Sequence, residues 1–299
     1  MTRRLRLLAP AKVNWTLEVL HRRPDGFHEL RSVLQTIDLC DVITVTQSDR
    51  IELRLKGAAG PLADEPPERN LAHRAAEALR RHRRVRAGVR IELEKGIPVA
   101  AGLGGGSSDA AAVLRACNVL WGLDEPELNL VELAGDLGSD PPFFVAGGTA
   151  TVRGRGEDVQ QLPDAQAPAF MLAMPPEEHR GEKTAGMFGA LTPDDFSDGE
   201  ATRGLEDVIM RGRTIDDAEL CNVFERVVPT QQPGAARAMD ALREAGWSPR
   251  LAGAGPSFFV LLGPGADANA LSQRIEQLGF DPRMCRALPR RDALAIEVL

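Results

Sequence analysis

Residues 98–109 read PVAAGLGGGSSD, and the alanine-rich run AAAVLRACNVLWG follows at once. Ahead of it, VRIELEKGIP (89–98) alternates apolar and polar residues, the pattern of a half-buried strand. A strand that feeds a loop opening a helix puts unpaired N–H groups and the positive end of the helix dipole at one spot. Gly102, Gly104, Gly105 and Gly106 let an anion approach the backbone, and Ser107 and Ser108 add hydroxyls. A tight structural turn needs fewer glycines, so the stretch points to a polyphosphate. It matches neither familiar template. A Walker A loop and a Rossmann loop each require glycine where Ser107 stands, and no lysine follows it.

Working outward, segments 3–10 and 15–20 suggest strands, and VITVTQ (42–47) with IELRLK (51–56) suggests a hairpin closed by a polar turn. Asn70 is placed to cap a helix over LAHRAAEALRRHRR, with Gly88 in the turn beyond it. Ser107, Ser108 or Asp109 is placed to cap the helix after the glycine loop, which Gly122 ends. PELNLVELAGDLG reads as a further helix and TATVRGRGE as a strand. The pattern restarts with a strand at PAFMLAMPP (168–176), which divides the chain into 1–164 and 165–299. Segment 177–218 reads as short helices and loops. ARAMDALREAG and ANALSQRIEQLGF read as helices, PRLAGAGPSFFVLL as a glycine turn entering a strand, and DALAIEVL as a last strand. The class is α+β, with an antiparallel sheet in the second half.

The 299 residues suit two domains, and 43% hydrophobic content fills a sizeable core. A net charge of −7 argues against a general nucleic-acid binder. Cys40, Cys117, Cys221 and Cys285 are isolated, without a CxxC pair, which suggests reduced thiols in a reducing compartment. The apolar stretch in MTRRLRLLAPAK is too short for a signal peptide, and no segment is long enough to span a bilayer, so a cytoplasmic location is expected.

PVAAGLGGGSSDAAAVL resembles the central motif of the GHMP kinases, APAKVNWTLEV their first motif and LAGAGPSFFVLL their third, in the expected order. RRPDGFHELRSVLQTIDLCD, LGSDPPFFVAGGTATVRGRGE, FSDG (196–199) and NVFERVV (222–228) resemble the branch that phosphorylates a cytidine-diphosphate methylerythritol on the route to isoprenoids. The resemblance implies an N-terminal domain like ribosomal protein S5 domain 2, over residues 1–164, and a C-terminal ferredoxin-like sandwich, over 165–299. It implies ATP as phosphate donor and Mg2+ as cofactor. The nucleotide site it implies is Pro98, Val99, Ala100, Ala101, Gly102, Leu103, Gly104, Gly105, Gly106, Ser107 and Ser108, with Ser108 also a metal ligand. The catalytic pair is Lys12 and Asp140. Asn14, Asp25, Phe27 and His28 are carried over as substrate-binding residues.

The chemistry of those residue types agrees. A tertiary alcohol needs a proton acceptor as phosphorus is attacked, which suits Asp140, and a nearby ammonium keeps that carboxylate ionised, which suits Lys12. The alternatives are a surface role for Lys12 and a helix cap for Asp140 ahead of Pro141. Phe27 offers an aromatic face for a base and His28 an imidazole for its edge; outside DGFHEL that histidine would read as an ordinary turn residue. The sequence departs from the branch at Phe27, where tyrosine is common, at the second proline of Pro141–Pro142, and over HRGEKTAGMF (179–188). Two other function classes compete: a catalytically silent nucleotide-binding regulator, and an RNA-binding module using RRHRRVR (80–86), which otherwise reads as a solvated helix end. A monomer or weak homodimer that binds neither nucleic acid nor membrane is expected.

Overall fold

In a computed structural model, residues 3–57, 65–176 and 184–299 are described. The chain opens with two long strands, β1 (Arg4–Arg22) and β2 (His28–Ser48), followed by β3 (Glu52–Gly57), α1 (Leu71–His82) and β4 (Gly88–Lys95). Next come α2 (Gly105–Leu120), α3 (Glu127–Gly135), α4 (Pro141–Ala146), β5 (Thr149–Gly154) and β6 (Asp158–Gln161). The second half runs β7 (Phe170–Met174), α5 (Thr184–Ala190), α6 (Glu200–Met210), β8 (Cys221–Asn222), α7 (Val228–Gln231) and α8 (Pro233–Glu244). It ends with β9 (Pro249–Leu251), β10 (Phe258–Leu261), α9 (Ala268–Gln277), β11 (Asp281–Cys285), α10 (Arg290–Ala293) and β12 (Ile296–Val298).

The first sheet has the order β12-β1-β2-β4-β3, with β5 on β2, β6 on β5 and β8 on β1. The second is β11-β7-β10-β9, antiparallel throughout. Helices α1 to α4 cover one face of the first sheet, where Leu79, Ile91, Leu114 and Phe143 are buried together. The second sheet is covered on both faces, so β7 is buried at every residue. Strand alternation sorts its side chains. Phe170, Leu172 and Phe259 meet Val13 and Trp15 of β1, with the Trp15 ring edge-on to Phe170 and Phe259 at 5.5 and 5.4 Å. Met171, Phe258 and Val260 meet Met239 of α8 and Ile275 of α9.

Several expectations hold. Asn70 caps α1 by accepting the Ala72 N–H at 2.9 Å. The strands at 170–174 and 258–261 and helices α8 and α9 lie where the periodicity put them. Segments 3–10 and 15–20 join into one bulged strand.

Others are corrected. The residues 42–47 and 51–56 do not pair as a hairpin. β4 lies between β2 and β3, pairing antiparallel with the first and parallel with the second. β4 buries Val89, Ile91 and Leu93 fully, whereas Leu53 and Leu55 of β3 are only half-buried, so the more apolar strand takes the inner position. Gly88 begins β4 rather than sitting in a turn, pressed against the Arg50 backbone. The serines do not cap α2: Gly104, left-handed at φ 76°, stands at its N-cap and Ser107 and Ser108 lie in its first turn. Within DALAIEVL only Ile296–Val298 forms a strand, and it returns to β1 of the first sheet. Of HRGEKTAGMF, residues 179–183 lie outside the described residues, and Thr184–Phe188 begin α5.

A Cβ at residue 88 would overlap Arg50 backbone atoms that have no free side chain to yield. Gly88→Ala is expected to cost about 1–3 kcal/mol, seen as a lower urea midpoint at unchanged slope; an unchanged midpoint would mean that β4 does not run this close to the turn.

Candidate active site

The first sheet's outer strand is irregular where the chemistry-bearing residues lie. β1 shifts register against β2 between Pro10 and Lys12 and again between Asn14 and Thr16. Such bulges turn backbone groups away from the ladder. The Lys12 N–H donates to Leu103 O of the glycine loop at 3.0 Å, and the Asn14 N–H donates to Ala252 O of the late glycine turn at 3.0 Å. Three sequence motifs therefore meet on one strand. The approach is close enough to need glycine: a Cβ at residue 253 would lie 2.7 Å from Lys12 Nζ and 3.0 Å from Gly102 O.

Lys12, Asn14, the loop residues 98–107, Ser139 and Asp140 line one cleft of about 560 Å³. Lys12 is only 6% exposed. Its Nζ donates to Asn14 Oδ1 at 2.7 Å, and Asn14 Nδ2 donates to Ser32 Oγ at 2.7 Å. Burial pulls the Lys12 pKa below the ordinary lysine value, and the charge of Asp140 opposes that pull. Asp140 stands at the N-cap position of α4, yet its side chain accepts no capping hydrogen bond. The physical reason is the proline pair: Pro141 and Pro142 have no N–H, so a usual capping donor is missing and the carboxylate stays free at the cleft.

The N-terminal turn of α2 faces this cleft through Gly105, Gly106 and Ser107. Ala100, in the loop ahead of it, is left-handed at φ 60°, a strained state for a residue with a Cβ. Ser108 points inward; its Oγ is buried without a hydrogen-bond partner. Below the loop, Lys95 donates to Asp109 Oδ2 at 2.9 Å and also to Asp41, all three side chains being buried. Burial disfavours the charged Lys95, but Asp109 and Asp41 outweigh it and hold its pKa above the ordinary value. Burial pushes the Asp109 carboxyl up.

A second cleft of about 710 Å³ adjoins the first, sharing Leu30, Ser139, Arg155, Thr184 and Phe188. His28 stacks on Phe188 at 5.3 Å and 18° and meets the Phe196 edge at 6.0 Å. Burial, then the charge of Arg22, lowers its pKa. Phe27 is half exposed, with the Arg155 guanidinium 5.1 Å from its ring centre. Asp25 lines neither cleft; Arg23 holds its carboxylate below the usual range, and it accepts the Phe27 N–H at 3.1 Å, which shapes the turn carrying Phe27 and His28. Phe196 is held by its own motif, since the Ser197 hydroxyl and the Thr202 N–H both donate to Glu18 of β1, at 2.8 and 2.7 Å. Asn222 donates to Gly253 O at 2.8 Å and pins the late glycine turn. Part of the basic run is paired locally: Arg80 and Arg81 with Glu77, and Arg83 with Glu125.

Residues 70–148 match the family described as GHMP kinases N terminal domain. A 4-diphosphocytidyl-2-C-methyl-D-erythritol kinase of Dehalococcoides mccartyi is 39% identical over 95% of this chain and 98% of its own length. The enzyme of that name from Pelotomaculum thermopropionicum is 41% identical over 93% and 98%. The chain belongs to the GHMP kinases. Within the family it groups with enzymes of that name. A crystal structure of a 4-(cytidine 5'-diphospho)-2C-methyl-D-erythritol kinase superposes with TM-score 0.73 at 32% identity, covering 94% of this chain and 98% of that one.

In this GHMP kinase the expected residues Lys12, Asn14, Asp140 and Pro98–Ser107 share one cleft, with Phe27 and His28 in its neighbour. Sequence reasoning did not single out Lys95, Arg155 or Phe188 as site residues. Lys95 carried one signal, its position directly before the loop; Arg155 and Phe188 become visible only when the chain is folded.

A desolvated lysine destabilises the fold it serves. Because its folded pKa is lowered, the folded state releases its proton first as pH rises, and stability recovers between that pKa and 10.5. Lys12→Met is accordingly expected to raise Tm by about 2–4 °C while abolishing phosphoryl transfer; a lowered Tm would show that Lys12 stabilises the native state. Gly253→Ala is expected to cut kcat by about tenfold or more by displacing the Lys12 ammonium, and wild-type turnover in that variant would refute the close approach.

Proposed function

We propose that this GHMP kinase transfers the γ-phosphate of ATP to the 2-hydroxyl of 4-diphosphocytidyl-2-C-methyl-D-erythritol, in the methylerythritol phosphate route to isoprenoid precursors. One observation carries the proposal: a cleft holding a buried ammonium, a free carboxylate and a helix N-terminus opens into a second cleft lined by stacked rings. Relatives of that name over nearly the full length support it.

The roles follow from the groups available. The triphosphate lies along the loop, receiving N–H groups from Gly104 to Ser107 and the positive end of α2. The acceptor oxygen sits between Lys12 and Asp140. As it attacks the γ-phosphorus, its proton passes to the Asp140 carboxylate, the bond from phosphorus to the β,γ-bridging oxygen breaks, and ADP leaves. Lys12 stabilises charge near the attacked oxygen; Asn14, bonded to both Lys12 and Ser32, orients the ammonium. The cytosine stacks in the second cleft, where His28, held neutral by burial, offers a donor or acceptor to its edge.

Mg2+ fits this site as an ion carried mainly by the phosphates. Among the described residues no group of three or more His, Cys, Asp or Glu is gathered for a metal, whereas Ser108 Oγ is a buried oxygen without a partner. Ser108 would hold the ion, which when bound supplies neutralisation of phosphate charge. We assign residues 1–164 to the nucleotide-binding domain and 165–299 to the second domain, with β8 and β12 reaching back across to β1. A cytoplasmic monomer or weak homodimer, independent of nucleic acid and membrane, suits the four free cysteines, with burial pushing the Cys40 and Cys285 thiols up to about 12. Among the described residues no helix is long and apolar enough to cross a membrane.

The pure protein with ATP, Mg2+ and 4-diphosphocytidyl-2-C-methyl-D-erythritol is expected to release ADP. Release on homoserine or mevalonate instead, with none on the cytidine compound, overturns the proposal in favour of a sibling kinase. Asp140→Asn is expected to lower kcat by about 10²–10⁴ with little change in either KM. His28→Ala is expected to raise KM for the cytidine substrate by about tenfold and leave that for ATP unchanged.

A further inference from the structure

The glycine loop has no lysine within it, but its two ends carry opposite charges. Lys95 is the last residue of β4, and Asp109 lies in the first turns of α2, fourteen residues on. Their side chains meet at 2.9 Å, with Lys95 4% and Asp109 2% exposed. Asp41 of β2, fully buried, takes Lys95 from the other side and accepts the first two N–H groups of the loop through Oδ1: Gly96 at 2.6 Å and Ile97 at 2.8 Å. A Cβ on Gly105, the first residue of α2, would lie 3.4 Å from Lys95 Nζ. The loop between these ends holds the left-handed Gly102 and Gly104, and Ala100, whose left-handed conformation persists in a residue with a Cβ only where the surroundings impose it. Lys95 and Asp109 also line the cleft wall beneath the loop, so the ion triplet and the nucleotide cradle are one construction.

We infer that Lys95, Asp109 and Asp41 form a buried clasp that closes the glycine loop at its base and holds it in the conformation that receives the ATP phosphates. The three are positioning residues: the clasp acts through the loop backbone. Removing Lys95 leaves two buried carboxylates uncompensated, and removing the Asp109 charge weakens the tie between the start of α2 and Lys95, so either change favours opening. The closed loop then becomes a minor population, and apparent nucleotide affinity falls by that fraction. The inference rests on the loop being the nucleotide site, and it does not need the identity of the acceptor.

The test is calorimetric titration of Mg2+ with a non-hydrolysable ATP analogue into the full-length protein, beside KM for each substrate. Asp109→Asn keeps the size of the side chain and removes its charge. It is expected to raise Kd for the analogue and KM for ATP by about tenfold, while KM for the cytidine substrate and kcat at saturating ATP stay within about twofold. Lys95→Arg keeps the charge but changes its shape, and is expected to retain more analogue affinity than Lys95→Met. Lys95→Met is expected to match or exceed the Asp109→Asn effect; should it fail to fold, Asp109→Asn still decides. Unchanged analogue affinity in a folded Asp109→Asn variant overturns the clasp. An equal loss of affinity for both substrates overturns it as well, because that is what general destabilisation produces. Because the analogue titration involves no acceptor, wild-type binding with no turnover of the cytidine compound would fault the assigned substrate and leave the clasp standing.

Discussion

The amide hydrogens of Lys12 and Asn14 leave the ladder of the first sheet and reach two loops instead. The rest of the site depends on that diversion. β1 is an edge that no single strand completes. β12 pairs with Leu5–Leu7, Leu103 O and Ala252 O take the middle, and β8 pairs with Thr16 and Leu17. An uncovered edge strand is a liability; here several short segments cover it, and two of them are glycine turns. Bringing those turns to β1 sets the glycine loop and the late turn against each other beside Lys12. A Cβ on Gly102 would run into the Gly255 backbone, and one on Gly253 into the Lys12 ammonium.

Burying an ammonium at this crossing is costly, and the arrangement offsets the cost in stages. Asn14 Oδ1 accepts from Lys12, Ser32 anchors Asn14, and Asp140 contributes an opposing charge from the start of α4. Pro142 removes one of the usual capping N–H groups, and the Asp140 side chain makes no capping hydrogen bond and lines the cleft. Strain at Ala100 and an unpartnered hydroxyl on Ser108 belong to the same pattern. A site shaped for a ligand keeps local features that would not stabilise an empty protein.

The second cleft is built on different physics. Its walls are rings: His28, Phe188 and Phe196 stack or meet edge to face, with Phe224 behind Phe188 at 4.9 Å. These residues come from the turn after β1, from α5, and from the FSDG and NVFERVV motifs. The last two are tied to β1 and the late glycine turn through Glu18 and Asn222. FSDG and NVFERVV therefore hold the aromatic residues Phe196 and Phe224 in place. Arg155, shared by both clefts and lying over the exposed Phe27, joins the two regions.

Local chemistry was legible in the chain itself. The strand, glycine loop and helix at 89–120, the cap at Asn70, the helices over 233–244 and 268–277 and the strand over 258–261 follow from periodicity and capping, which act over a few residues. The family resemblance carried Lys12, Asp140 and His28. What folding alone decided concerns partners far apart in sequence. β4 displaced β3 beside β2 because burial of Val89, Ile91 and Leu93 outweighs the proximity of a hairpin. Gly104, not a serine, opened α2, since the close packing of that loop against Phe144 and Lys12 admits no side chain there. The last strand returned to β1, and Lys95 met Asp109 and Asp41 under the loop. Side-chain type announces which group can donate, accept or carry charge. Which two groups share a buried volume is set by how sheets and helices pack, and that information is spread over the whole chain.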